Sequence, residues 1–204
     1  PTAMVHVNTC TAEYNKWVEL IGEAARLLGA EFSTGKLYDT ILGCAKDGAK
    51  DCGGVYTVNY ISGESVTDFC EGRPMVVRSQ DSKLNLANFM RSQIYSAVAT
   101  LRLGMDVLFA ENVKIDSMTG HGGYFKTEGV GLETMAAAMH TPVSAMETAG
   151  EGGPWGMALL ASYTADSKGK NLGDWLETEV FAGAQKKTVK PDAADVAGFD
   201  RWLE

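Results

Sequence analysis

Two glycine-rich turns lie one helix apart in this chain, and their placement limits the folds open to it. The first is Lys114-Ile-Asp-Ser-Met-Thr-Gly-His-Gly-Gly-Tyr124, an apolar alternation running into Gly120, Gly122 and Gly123. The second is Val143-Ser-Ala-Met-Glu-Thr-Ala-Gly-Glu-Gly-Gly-Pro154, continuing as the small-residue helix Trp155-Gly-Met-Ala-Leu-Leu-Ala161. A strand that delivers backbone into a turn without side chains lets a ligand come close, and a helix opening there presents unpaired N–H groups. The order strand, turn, helix, strand, turn, helix predicts an α/β layer with a parallel strand pair. Ligands bind beyond the carboxyl ends of such strands, where both turns fall, so a nucleotide cleft is expected.

The remaining elements read from caps and periodicity. Thr9 or Thr11 caps a helix carrying Tyr14, Trp17, Val18, Ile21, Ala25 and Leu28 on one face and ended by Gly29. A second helix covers about Thr34 to Ala45. Val55 to Ile61 alternates like a strand until Ser62-Gly63-Glu64 breaks it, and Met75-Val-Val77 is a further short strand. Asn85 opens the longest periodic run, a helix to about Ala110 buried on one side. The crossover helix runs from about Gly131 to His140, where Thr141-Pro142 ends it. Leu172 to Val180 and Ala194 to Leu203 are expected as peripheral helices separated by a polar stretch.

Composition narrows the function. A net charge of -8 with a pI near 4.9 argues against a polyanion as partner, and no basic stripe marks a nucleic-acid surface. No apolar run approaches the roughly 18 residues of a membrane span. The opening Pro1-Thr-Ala-Met-Val-His-Val lacks the basic region of a signal peptide, and the start fits a piece cut from a longer protein. Cys10, Cys44, Cys52 and Cys70 have no zinc-site spacing and read as reduced, mostly buried cytoplasmic thiols.

Several motifs fall short of a chemical signature. Gly29-Ala-Glu-Phe-Ser-Thr-Gly-Lys36 imitates a phosphate loop, but Leu37 stands where a magnesium-binding hydroxyl belongs. Gly120-His-Gly122 begins a dinucleotide fingerprint, with Glu147 as its acid, yet Phe125 replaces the third glycine. His6, His121 and His140 make no metal triad. Glu147 and Glu151 read as solvated loop carboxylates. The first elbow is either a tight turn or a nucleoside seat flanked by Tyr124, Phe125 or Lys126. In the second, Gly156, Ala158 and Ala161 suit close helix packing with or without a ligand.

Taken together, Ile115-Asp-Ser-Met-Thr-Gly-His-Gly-Gly123 and Ala149-Gly-Glu-Gly-Gly-Pro-Trp-Gly-Met-Ala-Leu-Leu-Ala161 resemble the adenosine loop and following helix of the FGGY carbohydrate kinases. Gly53-Gly-Val-Tyr-Thr-Val-Asn-Tyr-Ile-Ser-Gly-Glu64 resembles that family's strand leading to a G-E element, and the helix from Asn85 its interlobe helix. The resemblance spans a core of about 8–165 and leaves 170–204 as a peripheral tail. It implies the carboxy-terminal lobe of a ribonuclease-H-like, actin-related fold, a mixed sheet flanked by helices. The enzyme so implied moves the γ-phosphoryl of ATP, with Mg2+, to a ketopentose or similar sugar held through an amino-terminal lobe absent from this chain. Its nucleotide contacts would be Gly120, His121, Gly122, Gly123, Lys126, Ala12 and Lys16, the last two at the start of the first helix. Ala12 stands where the family has glycine, and His121 interrupts the glycine run. The family's phosphate hairpins and catalytic aspartate precede this segment, so a catalytically silent fragment is expected. A cytoplasmic location and a homodimer are further implications. The rival readings are a dinucleotide-binding domain of an oxidoreductase and a non-enzymatic interaction domain of the same fold.

Overall fold

The computed structural model describes residues 3–146 and 152–204. Helix α3 (Leu86–Ala110) is its axis. The Asn85 side chain accepts the Asn88 N–H at 2.8 Å and so caps the helix where the periodic run was expected to begin. Every residue from Met90 to Val98 is buried, so this stretch of α3 is enclosed on all sides, not on one. Most of its polar side chains find partners inside the protein, though the Gln93 Oε1 has none. Ser92 Oγ meets Thr57 Oγ1 at 2.9 Å, and Gln93 Nε2 donates to the same hydroxyl at 3.2 Å. Arg91 donates to the carbonyl oxygens of Ala45 and Lys46.

Two layers close around α3. On one side lie α1 (Ala12–Leu27) and α2 (Thr34–Gly43), with a 3₁₀ turn at Cys44–Asp47. Gly29, at φ 87°, ends α1 as predicted, while Thr11 occupies the cap position without a capping hydrogen bond. Against the helix also rests a hairpin of β1 (Val55–Val58) and β2 (Met75–Arg78), in which Tyr56 opposes Val77. Trp17 and Phe89 pack edge to face at 4.9 Å, fixing α1 to α3.

The other layer holds the two elbows. β3 (Met118–Gly120) pairs in parallel with β4 (Val143–Met146), Thr119 opposite Ser144, and α4 (Gly131–Met139) makes the crossover. Ala136, Ala137 and Ala138 are fully buried, which lets α4 sit close to its neighbours. α5 (Gly152–Ala165) follows β4, and α6 (Leu172–Trp175) runs on into a single π-helical segment at Leu176–Val180.

The segment after residue 170 departs from the expectation of a peripheral tail. Lys186–Val189 forms β5, antiparallel to β4, completing a mixed three-stranded sheet in the order β3, β4, β5. α7 (Ala193–Leu203) packs on α4 and buries Phe199 and Trp202. Phe199 stacks at 4.9 Å from Tyr95 of α3. Each such burial contributes about 1.5–3 kcal/mol, enough to make α7 part of the core. Among the described residues no helix is long and apolar enough to cross a membrane. The four cysteines are unpaired. Cys52 is buried and Cys44 half-buried, but Cys10 and Cys70 are exposed, so burial covers fewer thiols than the sequence suggested.

Candidate functional site: a cavity between the glycine elbows

β3 hands its backbone to the first elbow at Gly120, and the three glycines there have different roles. A Cβ on Gly120 would lie 2.5 Å from the Phe125 ring, so this glycine exists for packing. Gly122 adopts φ 106° and ψ 175°, a conformation open essentially to glycine alone, and nothing stands within 4 Å of its missing side chain. Gly123 is equally open. It begins a 3₁₀ turn, Gly123–Phe125, which carries Tyr124 into the core and lays Phe125 over Gly120. Tyr124 and Phe125 are thereby engaged in packing. Burial holds the Tyr124 phenol well above its ordinary range.

The second elbow is described only from the start of α5. Residues 147–151, including Glu147 and Glu151, lie outside the described residues. Pro154 falls in the first turn of α5, where its missing N–H costs nothing. Gly153 and Gly156 have nothing within 4 Å of a would-be Cβ, and Ala158 and Ala161 are exposed. The small residues of α5 therefore do not press on a neighbour, in contrast to the packing role expected for them; α5 makes aromatic contacts to α6 and to Phe181 just beyond the π-helical segment. Trp155 lies 5.9 Å from Phe181 and Tyr163 lies 5.5 Å from Trp175. Tyr163 Oη also donates to the Lys170 carbonyl oxygen at 3.0 Å.

Both elbows open on one cavity of about 620 Å³. Its lining includes His121 and Gly122 from the first elbow and Gly153, Pro154, Trp155 and Gly156 from the start of α5. Leu172, Leu176 and Phe181 also line it. Those three residues were not anticipated as part of a site; the signal available was the helical spacing of Leu172, Trp175, Leu176 and Val180 directly after α5. Of the residues expected to touch a nucleotide, His121 and Gly122 line the cavity, and Gly123 adjoins them without lining it. Lys126 is exposed at the end of the 3₁₀ turn, its N–H bonded to the Gly123 carbonyl at 3.1 Å. Ala12 and Lys16 are exposed on α1 and do not line this cavity. Lys16 pairs at 3.0 Å with Glu19, whose carboxylate raises the ammonium pKa.

The arrangement suits a flat, largely apolar group laid on bare backbone, its volume inside the roughly 300–1,000 Å³ range of small-molecule sites. Magnesium has no donor set among the described residues, where no three His, Cys, Asp or Glu side chains converge.

The family model of the FGGY carbohydrate kinases, C-terminal domain, matches residues 1–165. Among solved structures, the xylulose kinase from Rhodospirillum rubrum is similar over 97% of this chain, with TM-score 0.73 and 17% identity. The gluconate kinase from Lactobacillus acidophilus matches over 80%, with TM-score 0.61 and 16% identity, and the ligand-bound xylulose kinase from the same organism over 80%, with 0.63 and 17%. The chain spans about a third of each of these proteins: 36%, 32% and 32% of their lengths. At these identities the likeness is one of fold, the actin-like, ribonuclease-H-like fold expected from the motifs. No curated protein matches the chain significantly.

Proposed function

Since the chain belongs to the FGGY family of carbohydrate kinases, in the part that matches the family's C-terminal domain, we propose that it forms the nucleotide-binding half of an ATP-dependent sugar kinase. The enzyme transfers the γ-phosphoryl of ATP to a hydroxyl of a sugar, a ketopentose such as xylulose or ribulose. The observation that carries the reading is the single cavity onto which Gly122 and Gly153 both open, with no side chain between them and the space. The xylulose kinases among the structural relatives support the ketopentose. Neither a dinucleotide-binding domain nor a non-enzymatic interaction domain is favoured by any observation.

In this reading the chain binds and orients. The nucleoside lies along the backbone at Gly122, Gly153 and Gly156, against the Trp155 and Phe181 rings. The start of α5 turns unpaired N–H groups and the positive end of the helix dipole toward the phosphates. Phosphoryl transfer needs the γ-phosphoryl, the hydroxyl and a proton-accepting carboxylate held in line. The family's acceptor carboxylate belongs to the upstream lobe, so this segment alone turns nothing over. Magnesium, when bound, would neutralise charge developing on the phosphates. A cytoplasmic location goes with this reading.

Isothermal titration with ATP and ADP tests the seat. Binding is expected to be weak, because half of the cleft is missing. Gly156→Leu, which fills the cavity without backbone strain, is expected to abolish it. Equal binding by that variant would place the nucleotide elsewhere.

A further inference from the structure

A second cavity, of about 180 Å³, lies where α3, α4 and α7 meet the chain just after α2, and it shares no lining residue with the elbow cavity. Five ionisable side chains line it: Lys46, Lys50, Arg91, Glu133 and Asp195, three cations against two carboxylates. Asp195 is engaged, taking Arg91 at 3.4 Å and Lys50 at 2.5 Å. Arg91 is committed as well, donating to the Ala45 and Lys46 carbonyl oxygens and to the Tyr95 hydroxyl. The Lys50 carbonyl accepts from Tyr95, and the Val130 carbonyl from the Thr134 N–H at 2.9 Å, so these backbone acceptors are already occupied.

Two groups are left over. Glu133, in the first turn of α4, has its Oε2 buried with no hydrogen-bond partner. A buried acceptor left without a donor carries its full desolvation cost, so the site is incomplete without one. The Lys46 stem lies against Gly129, where a Cβ would stand 2.5 Å from Cε and 2.8 Å from Nζ. That contact sets the ammonium at the cavity, and among the described residues no carboxylate pairs with it. Lys187 holds the neighbouring Glu128 carboxylate at 3.0 Å and lowers its pKa, with Lys46 contributing less. An anion suits Lys46 and the surplus positive charge. A hydroxyl supplies the donor for Glu133 without adding a fourth cation, as an ammonium would. The volume equals roughly six waters at about 30 Å³ each, which limits the occupant to a short-chain molecule.

We infer that this cavity binds a small hydroxylated anion, its carboxylate or phosphate on Lys46 and Lys50 and its hydroxyl donating to Glu133 Oε2. The ligand's charge then lies toward the lysines and its uncharged donor toward the carboxylate. The site does not depend on the nucleotide reading above.

Isothermal titration of this chain with D-glycerate and with glycerol 2-phosphate tests it, the two probes separating a carboxylate from a phosphate. Propionate and isopropyl phosphate are the same anions without hydroxyls, and glycerol has the hydroxyls without the anion. The expected result is millimolar or tighter binding of at least one probe, with its hydroxyl-free analogue and glycerol weaker by roughly tenfold or more. That comparison needs no variant. Lys46→Met, at an exposed position, should weaken the probe roughly tenfold or more, and Lys46→Arg should keep most of the affinity. Glu133→Met should bring the probe down to the level of its hydroxyl-free analogue, with circular dichroism to establish that the variants fold. Gly156→Leu should leave the probe's affinity unchanged. Equal affinity for a probe and its analogue, or unchanged binding in folded Lys46→Met, overturns the inference. Loss of the probe in Gly156→Leu would place it in the elbow cavity, and no binding at millimolar concentration would mean a cavity filled by water alone; either result overturns the inference too.

Discussion

Trp202 Nε1 donates to the Val55 carbonyl oxygen at 2.9 Å, tying the last helix to the first strand across 147 positions of sequence. The indole is buried, 5.5 Å edge to face from Tyr95, so the contact combines packing with a satisfied backbone acceptor. Trp202→Phe keeps most of the apolar area and strands the carbonyl; it should cost about 1–3 kcal/mol. Trp202→Ala should cost about 3–5 kcal/mol. Urea unfolding followed by circular dichroism checks both. Equal, small losses would mean that α7 is an appendage and not core.

The glycines of the first elbow separate by substitution. Gly120→Ala drives a methyl into the Phe125 ring and should destabilise by about 1–3 kcal/mol without entering the cavity. Combining it with Phe125→Leu should recover part of that loss, since the obstacle is the ring. Gly156→Leu meets nothing and replaces a poor helix former, so it should raise stability by about 0.5–1 kcal/mol while removing nucleotide binding. A bulky residue at Gly122 is a poorer probe, because strain at φ 106° would mix with any effect on binding. Thermal melts and titrations on the same samples distinguish packing from occupancy.

How much of this was legible in the sequence depends on how local the determinants are. Helix ends at Asn85 and Gly29 were readable because the determinant acts within a few residues, Asn85 on the Asn88 N–H and Gly29 through its own φ, whereas the cap expected of Thr9 or Thr11 is not made by Thr11. The elbows were readable because glycine beside a strand end is itself the signal. β5 was not, since Lys186-Lys187-Thr188-Val189 is polar and becomes a strand only by pairing with the β4 backbone, where Thr188 Oγ1 meets Ser144 Oγ at 2.7 Å. The burial of α7 was hidden for a similar reason, its partners Tyr95 and Val55 being about a hundred residues or more upstream. Within the candidate site, the division between a packing Gly120 and an open Gly122 turns on where the Phe125 ring falls, which no spacing rule reports.

Glu179 provides a pH-dependent hold on the α5–α6 unit. Hydrogen bonds from Lys168 and Lys170, the latter at 2.6 Å, lower its carboxyl pKa to about 2. A depressed folded-state pKa contributes stability above the unfolded value of about 4.3 and loses it as pH falls toward 2. The reciprocal rise in the Lys168 pKa is present below the ordinary lysine value and is lost as pH climbs through the folded one. The expected outcome is faster amide exchange around Lys170 and Thr178 between about pH 4.5 and 2, compared with an unpaired exposed loop. Glu179→Gln should remove the dependence, and added salt should reduce it because the pair is exposed. An identical profile in the Gln variant would assign the change elsewhere.

The Arg91–Asp195 pair bears on how α7 is seated. Arg91 is nine-tenths buried on α3, its guanidinium 3.4 Å from Asp195 at the start of α7, and Lys50 meets the same carboxylate at 2.5 Å. The Tyr95 hydroxyl accepts from Arg91 and donates to the Lys50 carbonyl, and burial pushes its pKa up to about 12. Removing the carboxylate leaves a cation enclosed with only neutral partners, so Asp195→Ala should cost about 3 kcal/mol. Asp192 caps α7 through the Ala194 and Asp195 N–H groups, and Asp192→Ala should cost only about 1 kcal/mol, since an exposed cap is replaced by water. The ratio of the two losses, read from unfolding midpoints at constant denaturant slope, is what matters. If the cap proved the costlier, α7 would be positioned by its own first turn and not by the charge buried beneath it.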